Sequence, residues 1–139
     1  MGKNNKGKFG IPDPNTQFKD NIKFSFKFYD TSCNSYCIST WKQNDIALTL
    51  KRLQDISSKT FSEISRKNSY GFRPVSWEQT IKKDGFPDKN ANQFDAFHFS
   101  LIGVNGQKAR IFGAFASNVF YIVWFDLEHE IWPSLKPNT

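Results

Sequence analysis

Phe97-His98-Phe99-Ser100-Leu101-Ile102 runs into Asn105-Gly106, and Lys108-Ala109-Arg110-Ile111-Phe112-Gly113-Ala114-Phe115 leads back out. Asn followed by Gly suits the two left-handed positions of a type I′ turn, so the stretch predicts an antiparallel hairpin. Ser117-Asn118 predicts a second turn, feeding Val119-Phe120-Tyr121-Ile122-Val123-Trp124-Phe125. That run is apolar throughout, the pattern of a central strand covered on both faces. Residues 97–132 therefore read as a three-stranded antiparallel meander closed by an acidic, histidine-bearing tail.

Upstream, Phe24, Phe26 and Phe28 alternate with Ser25, Lys27 and Tyr29, which predicts a half-buried strand, with Tyr36 to Trp41 returning as the second arm of an N-terminal hairpin. From an N-cap at Asn44 or Asp45, the residues Ile46, Leu50, Leu53 and Ile56 recur at helical spacing and predict one amphipathic helix. Thr60 and Glu63 form a capping box for a second short helix whose apolar side is Phe61 and Ile64. Phe72 to Trp77 reads as an edge strand, because Pro74 lacks a ladder donor, and Lys82 to Asn92 as a loop. The predicted class is α+β: two helices packed on one face of a mainly antiparallel sheet, with an N-terminal hairpin and a C-terminal three-stranded meander.

The 139 residues suffice for one core, and fifteen Phe, four Tyr and four Trp mark a folded chain. Residues 1–20, with Gly10, Pro12 and Pro14, read as a flexible basic arm, and 21–139 as a single domain. No apolar run reaches the length of a membrane span and none follows the first residues as a signal peptide would, so a cytoplasmic location without a membrane partner is expected. Cys33 and Cys37 have no His or third Cys nearby to complete a metal site, and a reduced pair is expected. The net charge of +6 favours polyanionic partners, with Lys3, Lys6 and Lys8 as candidate nucleic-acid contacts; a solvated basic tail explains the same residues.

Walker, dinucleotide, nucleophile-elbow, HExxH and CxxC motifs are absent, which removes the best evidence for the common cofactor and hydrolase classes. The remaining candidates cluster near the strands. His98, on the strand face opposite Phe97 and Phe99, is either a polar surface residue or, beside Arg110, half of a pair that stabilises a phosphoryl transition state. In Glu128-His129-Glu130 the flanking carboxylates favour the imidazolium and make His129 the better general acid, although a charged turn after an apolar strand is also ordinary punctuation. Arg73 and Lys108 are candidates for phosphate contact, Arg73 lying between Phe72 and Trp77. Trp132 reads as a packing residue.

The order of elements over roughly residues 44–132, a helical pair and then a three-stranded antiparallel sheet with charged side chains on one face, resembles the RelE/ParE superfamily of bacterial toxins. The resemblance implies a toxin of a toxin-antitoxin system: a metal-independent endoribonuclease acting on messenger RNA at the ribosome, with no cofactor and an antitoxin partner. It places functional groups at Arg110, Tyr121 and His129. With them, Glu128 or His98 would act as base toward the 2′-hydroxyl, Arg110 or Lys108 would stabilise the pentacovalent phosphate, and His129 would protonate the leaving oxygen. The long N-terminal segment and the residue 82–92 loop depart from the family pattern. The alternative is a non-enzymatic binding module on the same fold, for a nucleic acid or protein partner; a third reading, from the ParE-like side of the resemblance, is a gyrase-directed toxin that would damage DNA and leave RNA intact.

Overall fold

The structure, a computed structural model, is described over residues 20–33 and 35–133. Its strands are β1 (Lys23–Ser25), β2 (Arg73–Pro74), β3 (Asp95–Ser100), β4 (Arg110–Ala116) and β5 (Val119–Asp126); its helices are α1 (Gln43–Ser57) and α2 (Phe61–Arg66). They form one five-stranded sheet in the order β1-β5-β4-β3-β2. Every neighbouring pair is antiparallel except β1 and β5. The predicted α+β class and the predicted meander are both present.

The turns behave as their residues dictate. Ser117 and Asn118 take φ of 51° and 69° and join β4 directly to β5. Asn105 and Gly106 also take left-handed φ, and Gln107 N–H donates to the Val104 carbonyl at 3.0 Å, so the expected tight turn exists at the tip of a wider loop. Gly113 sits where the β4–β5 register slips; a Cβ there would stand 2.1 Å from the Tyr121 carbonyl oxygen, so no larger residue fits. The slip puts both Val123 and Trp124 on one face, while Ile122 and Phe125 serve the other.

The helices cover one face. Ile46, Leu48, Leu53 and Ile56 of α1, with Phe61 and Ile64 of α2, pack on Phe99, Ile111, Phe115, Phe120 and Phe125. The capping box of Thr60 and Glu63 is formed. Helix α1 starts earlier than expected, with Lys42 at the N-cap and no side-chain cap, and Leu50 is 59 % exposed while Leu48 packs inward. A stripe through 46, 49, 53 and 56 satisfies helical periodicity as well, because Thr49 is buried with its hydroxyl donating to the Asp45 carbonyl at 2.8 Å.

The N-terminal hairpin is not formed. β1 pairs in parallel with β5, and residues 36–41 hold no strand, only a short 3-10 turn at Ile38–Thr40. The Phe24, Phe26, Phe28 alternation misleads because the three rings go to three places. Phe24 packs with Phe99 and Phe120, Phe26 is exposed, and Phe28 crosses to the opposite face beside Tyr121. Past β1 the chain instead runs along the outer side of β5, with Asp30 N–H donating to the Val123 carbonyl (3.2 Å) and Phe125 N–H to the Tyr36 carbonyl (2.9 Å). β2 is the expected edge strand, paired with β3. The helix-free face of the sheet is covered by loop residues, among them Tyr36, Trp77, Phe86 and Ile131. One end of that face remains open as a cleft.

Candidate functional site

The cleft encloses about 440 Å³ and is lined by Asn68, Gly71, Arg73, Gln79, His98, Ser100, Arg110, His129, Trp132 and Pro133. Register assembles its floor. Arg73 of β2 pairs with His98 of β3, and Ser100 pairs with Arg110 of β4, so two arginines and a histidine from three neighbouring strands meet on one face. His98 and Arg110 share the face that alternation predicts.

The rim is tied down from the helical side. Arg52 of α1 donates from Nε to the Ser100 carbonyl (3.1 Å) and from Nη2 to the Ser69 carbonyl (2.8 Å), and its guanidinium lies 4.2 Å from the Tyr70 ring centroid. Ser100 Oγ donates to the Tyr70 carbonyl at 3.0 Å. Gly71, at φ 58°, brings its backbone so close that a Cβ would stand 3.1 Å from Ser100 Oγ.

The opposite wall is the tail after β5, and a single carboxylate shapes it. Asp126, fully buried, accepts the Glu130 N–H at Oδ1 (3.0 Å) and the Ile131 N–H at Oδ2 (2.8 Å). Asn105 Nδ2 holds the Leu127 carbonyl at 2.9 Å. Between these anchors His129 adopts φ 60°, a left-handed conformation that costs a non-glycine residue on the order of 1 kcal/mol and recurs at functional sites. The fold thus returns His129 to the cleft, while Trp132 lines it and meets His98 in a tilted ring contact at 5.1 Å.

The cleft is electropositive: among the described residues its lining holds no carboxylate. Burial and then the Arg110 charge lower the pKa of His129 below the usual imidazole value. The flanking carboxylates therefore do not raise it as the sequence suggested; Glu128 instead turns outward, 3.9 Å from Lys108 Nζ, and both are well exposed. Arg110 itself is lowered by burial, partly offset by Asp126 directly across the β4–β5 ladder. Its Nη1 donates to the carbonyls of Gln107, Lys108 and Ala109, fixing the head group.

His98 is not a surface histidine. It is 8 % exposed, stacked on Phe112 at 5.0 Å and 20°, and in tilted contact with Trp132 at 5.1 Å and 44°. Burial first, then the charges of Arg110, His129 and Arg73, push its pKa down to about 3. It is neutral at physiological pH and too weak a base to take a hydroxyl proton.

Of the residues singled out in the sequence, Arg73, His98, Arg110 and His129 come together; Lys108, Glu128 and Tyr121 do not. Tyr121 shares the sheet face but lies toward its other end, stacked on Phe94 at 5.7 Å and packed on Phe28. Lys3, Lys6 and Lys8 lie outside the described residues. Asn68, Gln79, Trp132 and the anchoring Asp126 were missed. A carboxylate closing an apolar strand, five residues before Ile131, which must also be buried, is a signal for Asp126; nothing local marks Asn68 or Gln79. Cys37 Sγ lies 3.0 Å from Ser39 Oγ, and no group of three or more His, Cys, Asp or Glu among the described residues could hold a metal ion. No helix there is long and apolar enough to cross a membrane. Comparisons with protein-family models, curated proteins and solved structures return no match to this chain.

Proposed function

We propose that this chain is a RelE-like member of the RelE/ParE superfamily, a metal-independent endoribonuclease that acts on messenger RNA and is restrained by an antitoxin. The observation that carries the reading is the convergence of Arg73, Arg110 and His129 on one cleft whose lining holds no carboxylate among the described residues. A scissile phosphate entering there meets two guanidiniums suited to bidentate contact with its oxygens. His129, neutral in the empty cleft, takes the 2′-hydroxyl proton as the 2′-oxygen attacks phosphorus. The phosphate charge offsets the field of Arg110 and stabilises the imidazolium so formed. The P–O5′ bond breaks, the imidazolium proton passes to the 5′-oxygen, and the ends left are a 2′,3′-cyclic phosphate and a 5′-hydroxyl. Arg110 and Arg73 stabilise the charge on the pentacovalent phosphate. In this scheme His129 serves first as base, the reverse of the order expected from its acidic neighbours.

A second reading, a binding module without chemistry, is favoured by the placement of Glu128 and Tyr121 outside the cleft, which leaves one proton-transfer group there. Induced expression of wild type beside the His129→Ala/Arg110→Ala double variant, following growth and RNA integrity together, separates the two. Growth arrest with messenger loss only in the wild type supports the ribonuclease. Equal growth with intact RNA supports the binding module, and arrest with DNA damage and intact RNA indicates a gyrase-directed activity.

A further inference from the structure

Arginines and an imidazole account for a phosphate, but they leave the rest of the cleft unexplained. His98 Nδ1 is sealed from solvent and has no hydrogen-bond partner. An unpaired buried polar atom costs stability that a phenylalanine at this strand position would not, since the ring packs against two aromatic side chains, stacked on Phe112 and tilted against Trp132. The other ring nitrogen, Nε2, is not sealed, and the ring lines the cleft. The same cleft is lined by the half-buried Trp132 and by the exposed, uncharged side chains of Asn68 and Gln79. Neutral donors and acceptors beside an aromatic face match the edge and plane of a nucleobase, not a phosphate. A volume of about 440 Å³ exceeds what a phosphate fills and lies in the range of small-molecule sites.

We propose that the cleft contains a nucleobase subsite, in which an unstacked base lies on the Trp132 indole and hydrogen-bonds the His98 imidazole, so that the site takes a nucleotide in preference to bare phosphate. The inference rests on the reading of the same cleft as an RNA site, and it names the single-stranded nucleotide as what is held. His98 is then a specificity residue and takes no part in proton transfer. Its neutrality serves the purpose, because an imidazolium there would add a further cation to a site already carrying two arginines.

Isothermal titration of the full chain with the four nucleoside 3′-monophosphates, an abasic ribose phosphate and inorganic phosphate tests this without any cleavage step. At least one nucleotide should bind about tenfold or more tightly than the abasic and inorganic phosphates. That ratio should collapse toward one in His98→Phe, which fills the same stack, and in Trp132→Ala, with thermal melting reporting that each variant is folded. Equal affinity for all phosphates, or a ratio undiminished in both folded variants, overturns the base subsite. Nucleotide preference in a protein that leaves RNA uncut would retain the subsite and remove the ribonuclease. If neither phosphate nor nucleotide binds, both fail.

Discussion

Asp126 faces Arg110 directly across the β4–β5 ladder, and its two oxygens accept the backbone N–H groups of Glu130 and Ile131 on the far side of His129. One buried carboxylate thereby offsets the cleft's central cation and folds the tail that carries its imidazole. Removing both acceptors in Asp126→Ala leaves two amides unpaired, at about 1–3 kcal/mol each. Urea unfolding should show a loss of about 2 kcal/mol or more, and any cleavage should fall with it. A variant as stable as wild type would show that the tail is held by other contacts.

His129→Gly separates strain from chemistry. Glycine accepts φ 60° without penalty, so this variant should unfold at a urea midpoint no lower than wild type, whereas His129→Val, β-branched in a left-handed position, should lose about 1–2 kcal/mol. Cleavage should drop by a factor of about 100 to 10,000 in His129→Gly, with partial recovery on adding imidazole. Full activity in the glycine variant would remove His129 from the reaction.

The two buried titratable groups near the site pull stability in opposite directions with pH. The folded pKa of His98, depressed to about 3, lies below its unfolded value, so the unfolded chain binds a proton that the folded chain refuses. Stability from this group is present above the unfolded pKa, about 6.5, and is lost as pH falls toward 3, at up to about 1.4 kcal/mol per unit. Asp126 is raised by burial, so its contribution is present below its unfolded pKa and is lost as pH rises through the raised one. Urea midpoints between pH 4 and 7 should therefore fall on acidification less steeply in His98→Phe than in wild type. Parallel slopes would mean that His98 is protonated in the folded state.

Catalytic pH dependence has a signature of its own. With its pKa lowered by burial and Arg110, His129 in the free protein should place the acid limb of kcat/KM below the ordinary imidazole range. Bound phosphate offsets Arg110, so the acid limb of kcat should lie at higher pH than that of kcat/KM. In Arg110→Ala the His129 pKa itself, followed by NMR titration of the imidazole without any cleavage, should move upward, since a cation next to the imidazole is gone.

Much of this architecture is legible in the residues that turn the chain. Asn105-Gly106, Ser117-Asn118, the Thr60/Glu63 capping box and the unbroken apolar run of β5 each specify local structure through backbone chemistry, and each is found as expected. What depends on tertiary choice is not. The Phe24 alternation gives a strand's period but not its partner, and a three-residue strand leaves Phe26 and Phe28 free to diverge. Leu50 and Leu48 fit α1 periodicity equally until the sheet selects one. In the site, alternation puts His98 and Arg110 on one face, but charge reasoning along the chain misjudged His129. The left-handed turn sends Glu128 to Lys108 and the imidazole back to Arg110, so neighbours in sequence are not its neighbours in space.

Gly113 marks where fold and site depend on one atom's absence. Gly113→Ala would drive a methyl into the Tyr121 carbonyl and the Phe120 ring, forcing apart the two strands whose register sets Arg110 against Asp126. We expect destabilisation of about 3 kcal/mol or more by urea unfolding. A near-neutral effect would place the β4–β5 slip elsewhere.

The most direct measurement is cleavage itself: purified chain added to free single-stranded RNA and, separately, to messenger RNA in a translating extract, with product ends mapped in wild type, His129→Gly and Arg110→Ala. The ribonuclease reading predicts cuts leaving 5′-hydroxyl and 2′,3′-cyclic phosphate ends in at least one setting, lost in both variants. Intact RNA in both settings, or cuts that persist in both variants, would contradict it.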